Sequence, residues 1–215
     1  MALSTANIKV SENKTSKTIL PGNIQGRLYD LSLKPGYSEG SYYVILNIET
    51  TPVGDDFEGF LIDPRDESKG KFKGQVGRVR SGQYAFESKT LPNGNIINRD
   101  ESIMKLLLNL AIAQGREQEM NEIEVDTIEE LVEKAKSVLC NDVYLYYCIA
   151  AKEYTNKEGY MAYDCFLPKM ANKKYVFGKN LENVVVFNET DHLIKEKKKE
   201  TVSSFEPAPD GFNMF

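Results

Sequence analysis

The chain has 215 residues, enough for one large domain with a sizeable hydrophobic core. Its formal net charge of −5 excludes a uniformly basic surface, so an anionic ligand would have to meet a local basic patch. Three unpatterned cysteines and a single histidine argue against a zinc site or a disulfide framework, and they predict a reducing, cytoplasmic environment.

Short strands are predicted in the first half of the chain, after a polar and flexible arm over residues 1–18. Their β-branched and aromatic residues stand between Gly and Pro turns, a pattern typical of a small antiparallel barrel or sandwich. The predicted strands are Asn23–Leu33, Ser41–Thr50, Phe57–Ile62, the cationic stretch Lys69–Arg80, and Tyr84–Ser88.

Helical periodicity replaces strand alternation over about residues 100–139. Asp100 or Ser102 is expected to cap a first helix that ends near Gly115, and Asp126 or Thr127 to cap a second. Residues 117–133 carry eight acids and no cation, so this segment should lie away from any anionic ligand. The two helices interrupt the strands as an insertion.

Strands resume after the helices, which predicts a single antiparallel β-barrel over residues 19–194 with a two-helix insertion. The fold class is therefore mainly β. The predicted strands are Val143–Tyr154, Tyr160–Pro168 and Asn183–Phe187, with a hairpin turn at 156–159. Residues 195–215 are predicted to form a linker and a flexible C-terminal interaction tail, because two prolines and an aperiodic pattern preclude a packed element.

The stretch Lys69–Arg80 alternates cations with small or apolar residues at the two-residue period of a strand. Its cations are Lys69, Lys71, Lys73, Arg78 and Arg80. The arginines have the opposite parity to the lysines, so a glycine bulge at Gly74 or Gly77 is expected to return them to the same face. Such a ribbon suits a nucleic-acid backbone. The alternative interpretation is a solvated edge strand whose lysines discourage aggregation.

Aromatic residues accompany cations in two segments, 69–86 and 169–179, and bases stack on such rings. The residues predicted to stack on bases or to support the backbone contacts are Phe72, Tyr84, Phe86, Lys173, Lys174 and Tyr175. Both segments are expected to converge on one face of the barrel. Core packing is the alternative for each ring, because small barrels also fill with aromatics.

Catalytic patterns are missing from the sequence, so we expect a protein that is not an enzyme and uses no cofactor or metal. No apolar run approaches the roughly 20 residues of a membrane span, and no membrane partner is expected. The acids Asp55, Asp56, Asp63 and Asp66 stand among Gly and Pro, which favours turn residues over cation ligands.

Four segments together resemble bacteriophage single-stranded-DNA-binding proteins, and the resemblance implies that the predicted antiparallel barrel is an OB-like (oligonucleotide-binding) barrel. The segments are DPRDESKGKFKGQVGRVRSGQYAFES, INRDESIMKLLLNLAIAQG, VYLYYCIAAKEYTNKEGYMAYDCFLPK and the aromatic terminus. The resemblance implies sequence-tolerant binding of single-stranded DNA in phage-type replication or recombination, in the cytoplasm of a bacterial host. It also implies that Phe212 and Phe215 at the end of the tail contact phage replication proteins, and it leaves homo-oligomers open. A phage structural or adaptor protein that binds other proteins is the alternative.

Overall fold

The computed structural model describes residues 19–50, 60–61, 65, 71–72, 76–85, 88–94, 96–170 and 174–196, with only the backbone at 60–61 and 71–72. In this part of the chain strands predominate, as the sequence predicts. The strands are β1 (Gly22–Pro35), β2 (Tyr42–Glu49), β3 (Phe60–Leu61), β4 (Lys71–Phe72), β5 (Val76–Arg80), β6 (Ser88–Thr90), β7 (Ile96–Asn98), β8 (Tyr144–Thr155), β9 (Met161–Phe166), β10 (Phe177–Gly178) and β11 (Leu193–Ile194). The helices are α1 (Arg99–Gln114), α2 (Glu117–Asn121), α3 (Ile128–Leu139) and α4 (Glu189–His192).

Five strands form a closed barrel in the order β1-β2-β5-β9-β8, and β8 pairs with β1 to complete it. The 14-residue β1 pairs with β8 through its first half and with β2 through its second half. Among these five strands β5 and β9 form the one parallel pair, joined at Arg80 and Phe166, so the barrel is mixed rather than purely antiparallel. The OB-like barrel with a helical insertion is thus confirmed.

The close approach of β1 and β2 explains why position 26 is a glycine. Gly26 lies where the pairing of β1 changes from β8 to β2. A Cβ atom at this position would stand 2.7 Å from Ile48 Cγ2 and 2.9 Å from the Glu49 carbonyl oxygen. Both distances are shorter than van der Waals contact, so a side chain at Gly26 would push β1 away from β2. The register between these strands shifts between Leu28 and Asp30, a bulge that bends β1 around the barrel.

Alternating residues of the barrel strands fill its core. On β2, Val44, Leu46 and Ile48 are fully buried, while Tyr43 and Asn47 point to the opposite face. Val79 of β5 faces the same core. The helices bury a continuous apolar stripe against it, since α3 packs on β1 and α1 packs on α3 and β10.

The helix ends follow their capping residues. Asn98 caps α1 by accepting a hydrogen bond from the Glu101 amide at 3.0 Å, so the predicted caps Asp100 and Ser102 are wrong. Gly115 ends α1 in the left-handed region at φ 77°, and Thr127 caps α3, both as predicted. The insertion also contains the short helix α2, which the sequence did not predict as a separate element.

The predicted strand Asn183–Phe187 is wrong. Residues Leu181–Asn183 form a 3₁₀ turn, and Val184 makes a single parallel bridge with Tyr175. Val184 and Val185 are buried, so their apolar run reflects packing against the core rather than strand pairing. Of the predicted strand Tyr84–Ser88, Tyr84 forms an isolated bridge with Tyr42 and Ser88 begins β6, while residues 86–87 lie outside the described part.

The predicted glycine bulge at Gly77 is also wrong. The register between β2 and β5 runs without a shift from Glu49–Val76 to Ile45–Arg80. Gly77 instead allows the buried Ile19 to approach, because a Cβ atom there would lie 2.6 Å from the Ile19 nitrogen. The alternative position, Gly74, lies outside the described residues, as do the N-terminal arm and residues 197–215 with Phe212 and Phe215.

We expect Tyr147→Phe to raise the free energy of unfolding by about 1 kcal/mol. The Tyr147 ring lies fully buried in the core, and among the described residues its hydroxyl has no hydrogen-bond partner. A buried unsatisfied hydroxyl costs desolvation free energy, which phenylalanine avoids. Urea denaturation of both proteins measures the change. A less stable Tyr147→Phe protein would mean that the hydroxyl is satisfied.

Candidate nucleic-acid interface

A groove of about 530 Å³ lies on the outer side of β2, β5 and β9. It is the surface on which aromatic and cationic side chains of the described barrel meet. Its lining residues are Ile19, Tyr37, Tyr43, Ile45, Arg78, Arg80, Tyr154, Tyr163, Asp164 and Cys165. The same face of an OB barrel, with the loops beside it, is the one that binds oligonucleotides in this fold.

Arg78 and Arg80 reach the groove because of the strand period. Gly77 and Val79 face the core, so the two arginines between and after them face outward. Both predicted residues therefore lie in one site. They differ in their surroundings, because Arg78 is exposed and forms no ion pair with a described residue, whereas Arg80 is half-buried and paired.

Arg80 is held on three sides. Its Nε lies 3.1 and 3.2 Å from the two carboxylate oxygens of Asp164, and its Nη2 lies 2.9 Å from Asp164 Oδ2. The guanidinium carbon stands 5.4 Å from the Tyr43 ring centre and 5.0 Å from that of Phe166. Asp164 thus neutralises much of the Arg80 charge and fixes its position, which leaves Arg78 as the freer cation.

Tyr37 is the most exposed large ring on the described surface, at 94%. It belongs to the β1–β2 loop, which is closed by a 2.8 Å hydrogen bond from the Gly36 amide to the Ser41 carbonyl. Its ring meets Tyr43 edge-on, with centres 6.0 Å apart. The Tyr43 hydroxyl donates to Gln83 Oε1 at 3.2 Å, and burial raises the pKa of Tyr43, so this ring stays neutral and fixed.

Tyr154 and Tyr163 line the far side of the groove, from the end of β8 and from β9. Tyr154 is 43% exposed. The exposed lysines Lys34 and Lys152 stand at the margins, opposite Tyr43 and Asp164 in the strand registers. Rings that offer faces for stacking, with cations around them, form a surface that suits a chain of bases and phosphates.

The other predicted site residues are only partly brought to this groove. The Tyr84 ring packs against the hydrophobic core, and burial raises its pKa, so it is placed for packing rather than for stacking. Lys71 and Phe72 form β4, which pairs with β3 shortly before β5, and only their backbone is described. Residues outside the described part are Lys69, Lys73, Phe86, Lys173, Phe212 and Phe215.

Lys174 and Tyr175 lie in a different cleft, between α1 and the segment around β10. This cleft and the groove share no lining residue. The structure thus places the described members of the two basic segments in separate cavities, and their convergence on one face stays a prediction. β10 pairs with Tyr146 and Tyr147 of β8 whereas β9 pairs with residues 150–155, so the two surfaces lie at different positions along β8.

The sequence analysis missed the four tyrosines of the groove. One signal could have found Tyr43, since it alternates with the apolar Val44, Leu46 and Ile48 and so has to face outward. Tyr37 also stands in a turn, where an aromatic residue has no core to fill. The positions of Tyr154 and Tyr163 follow only from the closure of the barrel.

The described residues contain no group of three or more His, Cys, Asp or Glu side chains arranged to hold a metal ion. Burial raises the pKa of the Cys140 thiol to about 11 and those of Cys148 and Cys165 to about 12. These thiols are protonated at neutral pH and therefore poor nucleophiles. None of the helices in the described ranges is long and apolar enough to cross a membrane.

Comparisons of the chain with protein-family models, with curated proteins and with solved structures found no match. The resemblance to phage proteins stays a prediction.

Proposed function

We propose that the protein binds single-stranded DNA with little sequence preference, through the groove on β2, β5 and β9. The observation that carries the proposal is the exposed ring of Tyr37 against the half-buried ring of Tyr43, beside Arg78 on the ligand-binding face of an OB-like barrel. Stacking on a ring is worth about 1–3 kcal/mol per base and tolerates every base, since each has a π-face.

Single strands fit this surface better than a duplex. Stacking requires bases whose faces are free, and in a duplex those faces are covered by neighbouring base pairs. Arg78 lies among the rings that line the groove and the lysines Lys34 and Lys152 lie at its margins, so phosphates and bases of one strand would meet their respective partners. The lysines that precede β5 extend the basic character of this strand in the sequence.

The biological setting that we propose is phage-type DNA replication or recombination. The support is the resemblance described above and the aromatic C-terminal end, with Phe212 and Phe215 offered to a replication protein. A phage adaptor protein is the rival from another class. Fluorescence anisotropy with a labelled oligothymidylate separates the two, because an adaptor would not bind it at moderate salt.

Binding of single-stranded DNA is expected to weaken steeply with salt, with a slope of log K against log salt of about −3. Lys69, Lys71, Lys73 and Arg78 would neutralise four phosphates at about −0.7 each, while Arg80 is already paired with Asp164. Anisotropy titrations between low and moderate salt give the slope. A flat dependence would remove the electrostatic part of the proposal.

The double variant Lys71→Glu and Lys73→Glu tests these phosphate contacts directly. It should weaken oligonucleotide binding at least about tenfold. The control pair Glu117→Lys and Glu130→Lys changes the net charge by the same amount in the opposite direction on the helical insertion, and it should not weaken binding. Equal losses in both pairs would show that this ribbon has no specific role.

A further inference from the structure

The cleft between α1 and the segment around β10 has a volume of about 320 Å³ and differs from the groove in its lining residues. Its floor is apolar, formed by Ile112 and Ala113 of α1 and by the buried Phe177 of β10. Its walls are polar, and none of its described lining residues is acidic. The remaining lining residues are Asn109, Lys174, Tyr175, Gly178, Lys179, Asn180 and Asn183.

The polar groups of this cleft are free to take a ligand. Neither Lys174 nor Lys179 forms an ion pair with a described residue, and Lys179 is exposed. The side-chain amides of Asn109, Asn180 and Asn183 have no hydrogen-bond partner among the described residues either. Two unpaired ammonium groups and three unpaired amides around one cleft provide an anion site next to donors and acceptors for a flat polar group.

Tyr175 supplies an aromatic surface at the entrance. Its side chain is 52% exposed although its backbone is fixed at both ends. The Tyr175 amide donates to the Asn183 carbonyl at 3.1 Å, and its own carbonyl accepts from the Val185 amide at 2.9 Å. The facing turn is held as well, because Arg65 Nη2 donates to the carbonyls of Leu181 and Val184 at 2.9 and 3.2 Å. The exposed ring is therefore presented by a rigid segment.

We propose that this cleft is a second binding site for single-stranded nucleic acid and that it takes one nucleotide of the bound strand. The base would stack on Tyr175 with its polar edge toward the asparagine amides, and a neighbouring phosphate would meet Lys174 and Lys179. The volume is at the lower end of the range for small-ligand sites, which suits one nucleotide rather than two. An acidic peptide would use the lysines but would leave the ring and the three amides without partners. This proposal rests on the proposed function of the groove.

The positions of the two sites predict how a strand would use them. Phe177 pairs with Tyr147 of β8 and Tyr163 pairs with Glu153, so the sites are six residues apart along β8. That separation is about 20 Å along the strand. A strand that occupies both sites has to cover several nucleotides between them, within the roughly 4–16 nucleotides typical of one OB barrel. Short oligonucleotides would occupy the groove alone.

The test compares oligothymidylates of about 4 and about 16 nucleotides by fluorescence anisotropy on the full chain. The triple variant Lys174→Ala, Lys179→Ala and Tyr175→Ala is expected to bind the long oligonucleotide about tenfold more weakly and the short one as the wild type does. The pair Lys105→Ala and Lys134→Ala, on the exposed faces of α1 and α3, controls for net charge and should change neither affinity.

The outcomes are distinguishable. Unchanged binding of the long oligonucleotide, or equal losses for both lengths, would overturn the second site while leaving the groove proposal intact. A wild type that binds neither length would overturn the proposed function itself. Thermal unfolding of each variant establishes that the barrel is folded. The single variant Tyr175→Phe should bind the long oligonucleotide as the wild type does, because it retains the ring.

Discussion

Replacement of Tyr37 and Tyr43 together by alanine is expected to weaken binding of a short oligonucleotide at least about 30-fold. Each ring would lose a stacked base worth about 1–3 kcal/mol, and 1.4 kcal/mol corresponds to a factor of ten in affinity. Tyr43 also lies against the Arg80 guanidinium, so its loss loosens the cation next to the strand. Fluorescence anisotropy with a labelled oligothymidylate of about 4 nucleotides measures the effect.

The matched control is Tyr37→Phe with Tyr43→Phe, which keeps both rings and removes only the hydroxyls. The one described hydrogen bond that this control removes is the 3.2 Å contact from Tyr43 to Gln83. We expect the phenylalanine protein to bind within about twofold of the wild type, since stacking depends on the ring. An alanine protein that binds as well as the phenylalanine protein would exclude the groove as the stacking surface.

Gly26→Ala is expected to lower the free energy of unfolding by about 1–3 kcal/mol, the cost of overpacking a filled site. The added methyl group would lie 2.7 Å from Ile48 Cγ2 and 2.9 Å from the Glu49 carbonyl oxygen. The second of these atoms belongs to the backbone of the paired strand, so the clash cannot be relieved by rotating a side chain. Urea denaturation followed by circular dichroism gives the change.

Gly82→Ala provides the control in the same protein, because a Cβ atom there meets nothing within 4 Å and the residue has no positive φ. Its stability should be unchanged or raised by about 0.4–1 kcal/mol, since alanine restricts the unfolded chain. If both alanine proteins had the same stability, the close approach of β1 and β2 at Gly26 would not be a constraint on the barrel.

Local patterns in the sequence were sufficient for most of the fold. The β-branched and aromatic residues of Ser41–Thr50 predict β2, and a cap at Asp126 or Thr127 with an apolar stripe predicts α3. These signals succeed because the residues that determine them are neighbours. The same dependence on neighbouring residues made the strand prediction for Asn183–Phe187 wrong. A run of buried valines has the same sequence pattern in a strand and in an irregular segment that packs against a core.

The candidate site was less accessible to sequence analysis because it is built from distant residues. Arg80 and Asp164 are 84 positions apart, and only the parallel pairing of β5 with β9 brings them together. The pattern of charges identified Arg78 and Arg80, but it could not show that Asp164 neutralises one of them. Nor could it show that Lys174 and Tyr175 lie in a separate cleft beside α1 and β10.

The closure of the barrel between β1 and β8 has a consequence for folding kinetics. Asn23 pairs with Cys148, so the whole of β2, β5 and the helical insertion lies inside the loop that this pairing closes. Closing a long loop costs entropy before its contacts are formed, and folds dominated by such distant pairings fold in milliseconds to seconds. During synthesis, the first half of β1 has to wait unpaired until more than a hundred further residues have left the ribosome.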